Sequence, residues 1–328
     1  MADRDRDIRW GIIGSGNIAD RFLRDLPFAA STRATSIWGR NRTAVEALAF
    51  QHGVNACNCL DDLLRSDVDA VYIATLPDTH AEFSGRALEY GKAVLCEKPA
   101  AMSLREVNTI LALAKQRGLL FMEAMKPPFF PVMKAIEQQL QCKPLGPVAI
   151  VQSGFAAPTP ADHTSWLPNT GGGSLAHIGV YHAWLAVHWL GAVQTVYSTG
   201  RVTRNDVDSF AACLTTHAGG GIAQFFSGLD VAASVGATVA GQHGTLYLEE
   251  RWWSASRARI IYRDGDVATI DAPYQGDGLH YEVAHFCDLL RNGATESLIL
   301  SHEVTRQIMR LLDDAQENLR PCAALSRS

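Results

Sequence analysis

The sequence predicts an α/β domain built on a doubly wound parallel sheet, followed by an α+β domain. Residues 8–124 alternate short β-rich runs with helical patterns, which is typical of a parallel sheet with crossover helices. A glycine-rich turn, GIIGSGNIA, directly follows the first of these runs. After the prolines at 127, 128 and 131 the pattern changes to strands that follow one another closely. Two kinds of sheet are therefore expected in one chain.

The length and composition support this division. With 328 residues the chain is longer than a domain with a single hydrophobic core usually is. Two domains are therefore expected, with one large domain as the alternative. We place the boundary near residue 128, between a domain at 1–128 and a domain at 129–328. A content of 47% apolar and 19% charged residues is that of an ordinary globular protein.

The N-terminal domain is expected to contain five parallel strands, at residues 8–13, 34–39, 68–75, 93–97 and 119–124. Between the last two, Ser103 and Glu106 form a capping box for a helix that ends at Gly118. The C-terminal domain is expected to be an open, mostly antiparallel sheet with helices on one face. Its predicted elements are helices at 174–190, 281–292 and 301–319, and strands near 193–202, 207–216, 221–227, 234–240, 245–249 and 258–271.

Several kinds of partner are excluded by composition. A net charge of -5 without a run of Lys or Arg argues against nucleic acid. No apolar stretch is long enough for a membrane span, and the charged start lacks the apolar core of a signal peptide, so a cytoplasmic protein is expected. Seven cysteines without a CxxC pair suit a reducing compartment and indicate neither a disulfide framework nor a metal site.

The glycine-rich turn has the spacing of a dinucleotide-binding fingerprint. Gly14 permits the tight turn, Gly16 lets the backbone approach a pyrophosphate, and Ala19 lets helix and strand pack closely. Because the turn follows a strand and opens a helix, we interpret the domain as a Rossmann domain that binds a dinucleotide. Three further residues of the turn are expected to contact the cofactor: Ser15, Asn17 and Ile18.

The end of the second strand indicates which dinucleotide is bound. An NAD-binding protein usually has Asp or Glu there to accept hydrogen bonds from the ribose hydroxyls. This chain instead has Arg40 and Arg42 in the segment WGRNR, which favours the 2′-phosphate of NADP over NAD. The alternative is that both arginines belong to a solvated loop.

Five motifs occur in a characteristic order: GIIGSGNIA, ATLPDTH at 74–80, CEKP at 96–99, MEAM at 122–125 and GGGSLAHIG at 171–179. With them the chain resembles the glucose-fructose oxidoreductase, inositol dehydrogenase and MocA family over nearly its whole length, and most of all the dihydrodiol dehydrogenase branch. The resemblance implies a Rossmann domain and a C-terminal open sheet often used for dimerisation. It also implies hydride transfer between a nicotinamide and a sugar, polyol, inositol or cyclic diol.

Glu97-Lys98-Pro99 ends a parallel strand, where open α/β sheets bind ligands. An ammonium there can donate a proton to a carbonyl oxygen as hydride arrives at carbon, and the resemblance gives Lys98 this catalytic role. Residues expected beside the cofactor are Thr75, Leu76, Glu97 and Lys98. His80 matches a family position near the cofactor, and a structural histidine is the alternative interpretation.

The GGGSLAHIG motif departs from the family pattern GGGxLxDxGxH, because His177 replaces the Asp and Tyr181 replaces the His that follows it. Tyrosine is familiar in the dihydrodiol dehydrogenase branch, whereas the histidine is not. We expect Tyr181 and His177 to orient the substrate. Without the carboxylate, Lys98 should be less stabilised as a cation. The substrate need not be a typical family sugar.

On a helix these residues fall into two stripes. His177, Tyr181, Trp184 and His188 are expected to line the cleft, while Leu175, Ile178, His182, Leu185 and Trp189 share the other stripe. His182 is interpreted as a histidine of the core.

A second departure is Lys126-Pro127-Pro128, where related members carry an aromatic residue and then Arg. Lys126 is either a substrate ligand or a solvated lysine.

Taken together, these features predict an NADP-dependent oxidoreductase with Lys98 as acid/base and a small-molecule substrate. A homodimer or a higher oligomer formed through the C-terminal sheet is also expected. The competing hypothesis is a non-catalytic NAD(P)-binding regulator on the same fold, which the altered GGGSLAHIG motif keeps open. The lysine beside Glu97 argues against it, because a sensor does not need a proton donor at the nicotinamide.

Overall fold

The computed structural model describes residues 6–249 and 251–322, so residues 1–5 of the charged N-terminal segment lie outside it. The chain forms two compact units. The first comprises Met1–Phe129 and Tyr274–Thr305, and the second comprises Phe130–Pro273 and Arg306–Ser328. The chain leaves the first unit next to the expected boundary at 128. It then returns to the first unit at Tyr274, whereas the sequence analysis assigned all of 129–328 to one continuous domain.

The first unit contains a parallel sheet with crossover helices. Its strands are β1 (Ile8–Ile13), β2 (Thr32–Trp38), β3 (Asn55–Ala56), β4 (Ala70–Ile73), β5 (Ala93–Glu97) and β6 (Phe121–Ala124). Its helices are α1 (Asn17–Asp25), α2 (Arg42–His52), α3 (Leu60–Arg65), α4 (His80–Glu89) and α5 (Leu104–Arg117). The strand order β3-β2-β1-β4-β5-β6 is that of a doubly wound Rossmann sheet, which confirms the predicted fold class.

The returning segment supplies a helix to this unit, α8 (Leu279–Arg291). Asp25 at the end of α1 accepts hydrogen bonds from the amides of Asp277 and Leu279, at 2.9 and 2.8 Å, and so fixes the start of α8. Phe286 of α8 packs against Trp10 of β1, with ring centroids 5.1 Å apart. Because these side chains are fully buried, α8 is part of the core of the first unit.

The second unit is built on a mixed sheet. Its strands are β7 (Val148–Ala156), β8 (Val193–Val202), β9 (Asp208–His217), β10 (Ile222–Gly228), β11 (Ala233–Gly241), β12 (Gly244–Leu248), β13 (Arg257–Tyr262), β14 (Val267–Asp271) and β15 (Leu319–Pro321). In the described residues they are ordered β14-β13-β12-β11-β7-β10-β9-β8-β15. The β7–β10 and β8–β15 pairs are parallel and the others antiparallel, as the prediction of a mostly antiparallel sheet requires.

Helices α6 (Pro131–Cys142), α7 (Val180–Leu190) and α9 (His302–Glu317) complete the described elements. The sequence analysis missed α6, the central strand β7 and the short strands β3 and β15. The strand predicted at 258–271 is wrong, because a turn with Gly265 at a φ of +95° divides it into the hairpin β13–β14. No helix of the described part of the chain has both the length and the apolar character needed to cross a membrane.

Candidate active site

The glycine-rich turn joins β1 to α1. Gly14 has a φ of +120°, and a Cβ built there would collide with the carbonyl oxygen of Ala74, so glycine is required. At Gly16 the surroundings are open, since no atom lies within 4 Å of a built Cβ. Helix α1 begins without a side-chain cap, which leaves its first amides available to an anion. The other predicted contacts of the turn are at least partly exposed: Ser15, Asn17 and Ile18.

The two arginines after β2 have different surroundings. Arg42 donates to Oε1 of Glu46 at 2.8 Å and to the carbonyl oxygen of Cys57 at 2.7 Å. Arg42 is therefore held by its own helix and the neighbouring strand. Arg40 is exposed directly after the strand, where an adenosine ribose phosphate would be bound in this fold. Arg40 is the better candidate for a phosphate ligand.

Thr75 and Leu76 follow β4, whose carboxyl end lies beside that of β1 at the point where the strand order reverses. His80, at the start of α4, is buried close to them. Its Nδ1 lies 2.8 Å from the carbonyl oxygen of Pro99, and its Nε2 lies 3.2 Å from the carbonyl oxygen of Thr75. Burial lowers the pKa of His80. These contacts favour the interpretation of His80 as a structural histidine that links the ends of β4 and β5.

Residues 97–100, here called the Lys98 turn, follow directly from β5. The Lys98 amide donates to Oε2 of Glu97 at 3.2 Å, and the Ala100 amide donates to Oε1 of Glu123 at 3.0 Å. Since the Pro99 carbonyl oxygen also faces His80, side chains from both neighbouring strand ends hold the turn. The backbone on both sides of Lys98 is thus fixed by hydrogen bonds.

The charges around Lys98 have opposing effects on its ionisation. Burial lowers the pKa of Lys98, the carboxylates of Glu97 and Glu123 act to raise that pKa, and the Lys126 ammonium lowers it further. The net shift is downward. A lysine whose pKa is lowered towards neutrality exchanges a proton more readily at physiological pH. The environment of Lys98 is therefore suited to acid/base chemistry.

Further ionisable groups are buried behind the turn. The Tyr72 hydroxyl donates to Oε1 of Glu97 in a short hydrogen bond. Glu282 of α8 is fully buried, and neither of its carboxyl oxygens has a hydrogen-bond partner among the described residues. Burial and the charge of Glu97 raise the pKa of Glu282 well above its usual range. Burial also raises the pKa of Glu123, to about 7.

In the second unit, the GGGS segment leads into a π-helical turn at Leu175–Gly179. Gly173 has a φ of +119°, and a Cβ there would collide with the carboxylate of Asp208. That carboxylate accepts from the Ser174 hydroxyl at 2.7 Å and from the Leu175 amide at 2.9 Å. Asp208 therefore fixes the start of the π-helical turn, and burial raises the pKa of its carboxyl to about 6.

The π-helical turn carries His177, and α7 follows it with Tyr181 in its first turn. Both side chains are partly exposed. The His177 ring centroid lies 6.0 Å from that of His163. The Tyr181 ring stacks on Trp253 at 5.6 Å, and Trp253 meets Phe155 edge-on at 4.8 Å. Aromatic rings thus flank the tyrosine on one side.

The predicted stripes need correction, because the π-helical turn changes the helical period after Ser174. Trp184, expected in the cleft, is fully buried and stacks on Trp252 at 5.9 Å. His182 lies in the core as predicted, with its Nδ1 2.8 Å from the hydroxyl of Ser153. Burial lowers the pKa of His182 to about 3, so it is neutral at neutral pH.

The predicted cofactor residues and Lys98 all lie in the first unit, whereas His177 and Tyr181 lie in the second. The sequence analysis gave no role to Glu123, Glu282 or Asp208. Glu123 lies in MEAM, one of the motifs that carried the family resemblance, and that position was the available signal. Asp208 begins a strand whose pattern gives no sign of a buried carboxylate.

Comparison with known proteins agrees with the fold and the motifs. The family model described as an oxidoreductase family with an NAD-binding Rossmann fold, GFO/IDH/MocA, matches residues 8–125. The model of the GFO/IDH/MocA C-terminal domain matches residues 133–247. Together these matches cover most of the chain.

Characterised relatives are similar over most of their own length. The chain is 28% identical to the scyllo-inositol 2-dehydrogenase (NADP(+)) IolU of Bacillus subtilis, over 95% of this chain and 97% of the relative. It is 34% identical to a dTDP-3,4-didehydro-2,6-dideoxy-alpha-D-glucose 3-reductase of Streptomyces violaceoruber, over 79% and 77%.

Among solved structures, the 3-ketoreductase KijD10 of Actinomadura kijaniata, in complex with NADP and TDP-benzene, is similar with a TM-score of 0.86. The identity is 27%, over 96% of this chain and 99% of KijD10. Sequence, fold and site motifs therefore lead to one conclusion: this chain belongs to the GFO/IDH/MocA family of oxidoreductases.

Proposed function

We propose that this protein is an NADP-dependent oxidoreductase that uses Lys98 as its acid/base. The observation that carries the proposal is the Lys98 turn, a lysine of lowered pKa held by hydrogen bonds at the carboxyl end of β5. The phosphate-binding turn at Gly14 and Gly16 lies in the same unit and on the same sheet edge. A proton donor and a dinucleotide cradle are the two components that this chemistry requires.

A bound nicotinamide supplies hydride to the substrate carbon, or accepts it in the reverse direction. In the reduction, the Lys98 ammonium gives a proton to the carbonyl oxygen, which becomes a hydroxyl, and Lys98 remains as the neutral amine. In the oxidation, the neutral amine takes the hydroxyl proton. Because burial disfavours the ammonium, the pKa of Lys98 is lowered although Glu97 and Glu123 act to raise it, so Lys98 gives up its proton more readily than an ordinary lysine.

The cofactor residues we propose are Gly14–Ile18 with Arg40, Thr75, Leu76, Glu97 and Lys98, and His80 lies beside them as the structural histidine that links the ends of β4 and β5. The first unit would then be the NADP domain and the second the substrate domain, with His177 and Tyr181 orienting the substrate. The substrate class is a small sugar, polyol, inositol or cyclic diol. This class is supported by relatives that act on an inositol, a deoxysugar nucleotide and, in Xenopus laevis at 26% identity, trans-1,2-dihydrobenzene-1,2-diol.

Cofactor preference tests the first half of the proposal. NADPH should bind more tightly than NADH, and Arg40→Ala should weaken NADPH about tenfold or more while changing NADH little, because a guanidinium–phosphate pair is lost. Arg42→Ala is the matched control, since Arg42 is held by Glu46 and Cys57 and should leave the preference intact. Fluorescence titration measures all three proteins. Equal affinity of the wild type for NADPH and NADH would contradict the proposal.

We also propose a cytoplasmic homodimer or higher oligomer, formed through the sheet of the second unit. The described cysteines are all free, which suits a reducing compartment. The outer face of the sheet exposes large apolar side chains, Tyr197, Leu214 and Val235, around a groove of about 690 Å³. A contiguous apolar face of this kind is usually covered in solution.

Self-association is tested by sedimentation equilibrium at micromolar concentration, where we expect a dimer or a larger species. Tyr197→Glu, which puts a charge on the exposed face, should shift the equilibrium towards monomer. A wild type that sediments as a monomer under these conditions would refute this assignment of the sheet face.

A further inference from the structure

Glu123 occupies an unusual position for an acidic residue. It lies on β6, which is paired in the sheet with β5, the strand that carries the Lys98 turn. Its side chain is 2% exposed. A buried carboxyl costs free energy compared with an apolar residue, unless it makes specific interactions. Glu123 interacts with the Lys98 turn, with Lys98 itself and with the start of α9.

The first of these interactions is to the backbone. Oε1 of Glu123 accepts from the Ala100 amide at 3.0 Å, two residues after Lys98. On the other side of β5, His80 lies 2.8 Å from the carbonyl oxygen of Pro99. The Pro99–Ala100 peptide group is therefore held from opposite sides of the strand, at its carbonyl oxygen by His80 and at its N–H by Glu123. The Thr305 hydroxyl of α9 supports the Glu123 carboxylate.

The second interaction is electrostatic. The ionisable groups that act on Lys98 are Glu97 and Glu123, which favour its ammonium, and Lys126, which disfavours it. Lys98 in turn acts on the buried His80. The groups that act on Glu123 are Lys98 and Glu97, with Cys96 also within electrostatic range. Glu123 thus supplies a negative charge that can balance Lys98.

We propose that Glu123 is a positioning residue, which holds the Lys98 turn through the Ala100 amide and supplies a negative charge beside the Lys98 ammonium. The proposal rests on the proposed function of Lys98. It assigns Glu123 no direct contact with the substrate or the reacting atoms. Since burial raises the pKa of Glu123 to about 7, its charge develops as the pH rises through neutrality.

The test separates the two roles with Glu123→Gln and Glu123→Leu. Glutamine keeps an oxygen for the Ala100 amide and removes the charge, whereas leucine removes both. We expect Glu123→Leu to lower kcat about tenfold or more with KM and NADPH affinity nearly unchanged, because a displaced acid is less effective. Glu123→Gln should recover most of this kcat. It should still lower the pKa of Lys98, by about one pH unit, because a negative charge is lost.

The pKa of Lys98 can be read without any substrate. Lysines are labelled by reductive ¹³C-methylation and titrated by NMR. The Lys98 signal is identified as the one that is absent from the spectrum of Lys98→Met. Glu282→Gln is the matched control: it replaces another buried glutamate of the same unit, one whose charge is not among those that shift the pKa of Lys98, and it should leave the Lys98 titration unchanged. Melting temperatures verify that each variant is folded.

The outcomes distinguish this inference from the proposed function. If the Lys98 pKa is the same in Glu123→Gln and wild type, or falls equally in Glu282→Gln, the electrostatic role is overturned. If folded Glu123→Leu has wild-type kcat, the role in holding the turn is overturned. Neither result contradicts the assignment of Lys98 as the acid/base. That assignment is refuted only if Lys98→Met retains wild-type turnover.

Discussion

Replacing Lys98 by methionine is expected to lower turnover about a hundredfold or more, because a positioned proton donor is lost. Methionine retains much of the apolar stem, so the Lys98 turn should keep its hydrogen bonds to His80 and Glu123. Affinity for NADPH should therefore change little. The measurement is steady-state turnover of a panel of sugars, inositols and diols with NADPH and NADP, alongside a fluorescence titration of NADPH.

Lys92→Met is a suitable control for this experiment. Lys92 lies just before β5, and its ammonium donates to the carbonyl oxygens of Ser66 and Val68 at 3.0 and 2.8 Å. Its loss should lower stability and leave turnover unchanged. If Lys98→Met turned over substrate at the wild-type rate, the acid/base assignment would be refuted. An equal loss of turnover in Lys92→Met would show that the effect is not specific to Lys98.

Gly14→Ala is expected to destabilise the first unit by at least about 2 kcal/mol and to abolish tight NADPH binding. Alanine at a φ of +120° is strained, and its Cβ would collide with the backbone of Ala74 at the end of β4. Relief of this collision must displace the turn that leads into α1. Urea unfolding with and without NADPH measures both effects.

Gly16→Ala is the informative counterpart. Gly16 has a φ of -86°, and a Cβ there meets no atom within 4 Å. Gly16 is the N-cap of α1, where glycine is favoured over alanine, so stability should fall by about 1 kcal/mol and by less than in Gly14→Ala. NADPH affinity should still fall about tenfold or more, because the new methyl group occupies the space through which a pyrophosphate approaches the backbone. If Gly16→Ala bound NADPH like wild type, the turn would not be the phosphate cradle.

The first unit was the more predictable part of the chain. β1 and β5 have the predicted boundaries, and Ser103 caps α5 through the Glu106 amide as expected. Local signals suffice there, since parallel strands are continuous apolar runs and α5 begins and ends at recognisable residues, Ser103 and Gly118. The central strand β7 was missed because its pairing with β10 and β11 is set by residues far away in sequence.

The sequence motifs identified candidate site residues, but they did not identify the contacts that support those residues. The motifs identified Lys98, Gly14 and Gly16, because those positions have a chemical or conformational requirement that is visible in the residue itself. Glu123 and Asp208 act through backbone amides whose position only the folded chain defines. The π-helical turn at 175–179 could not be foreseen, since its residues fit an ordinary helical pattern.

The return of the chain to the first unit has a consequence for biosynthesis. Many proteins fold their N-terminal domain while the rest is still being translated. Here Trp10 cannot reach its partner Phe286, and Asp25 cannot bind the amides before α8, until residues 130–273 have been made. The first unit therefore cannot complete its core until almost the whole polypeptide has been translated. Its folding is completed late in the synthesis of each molecule.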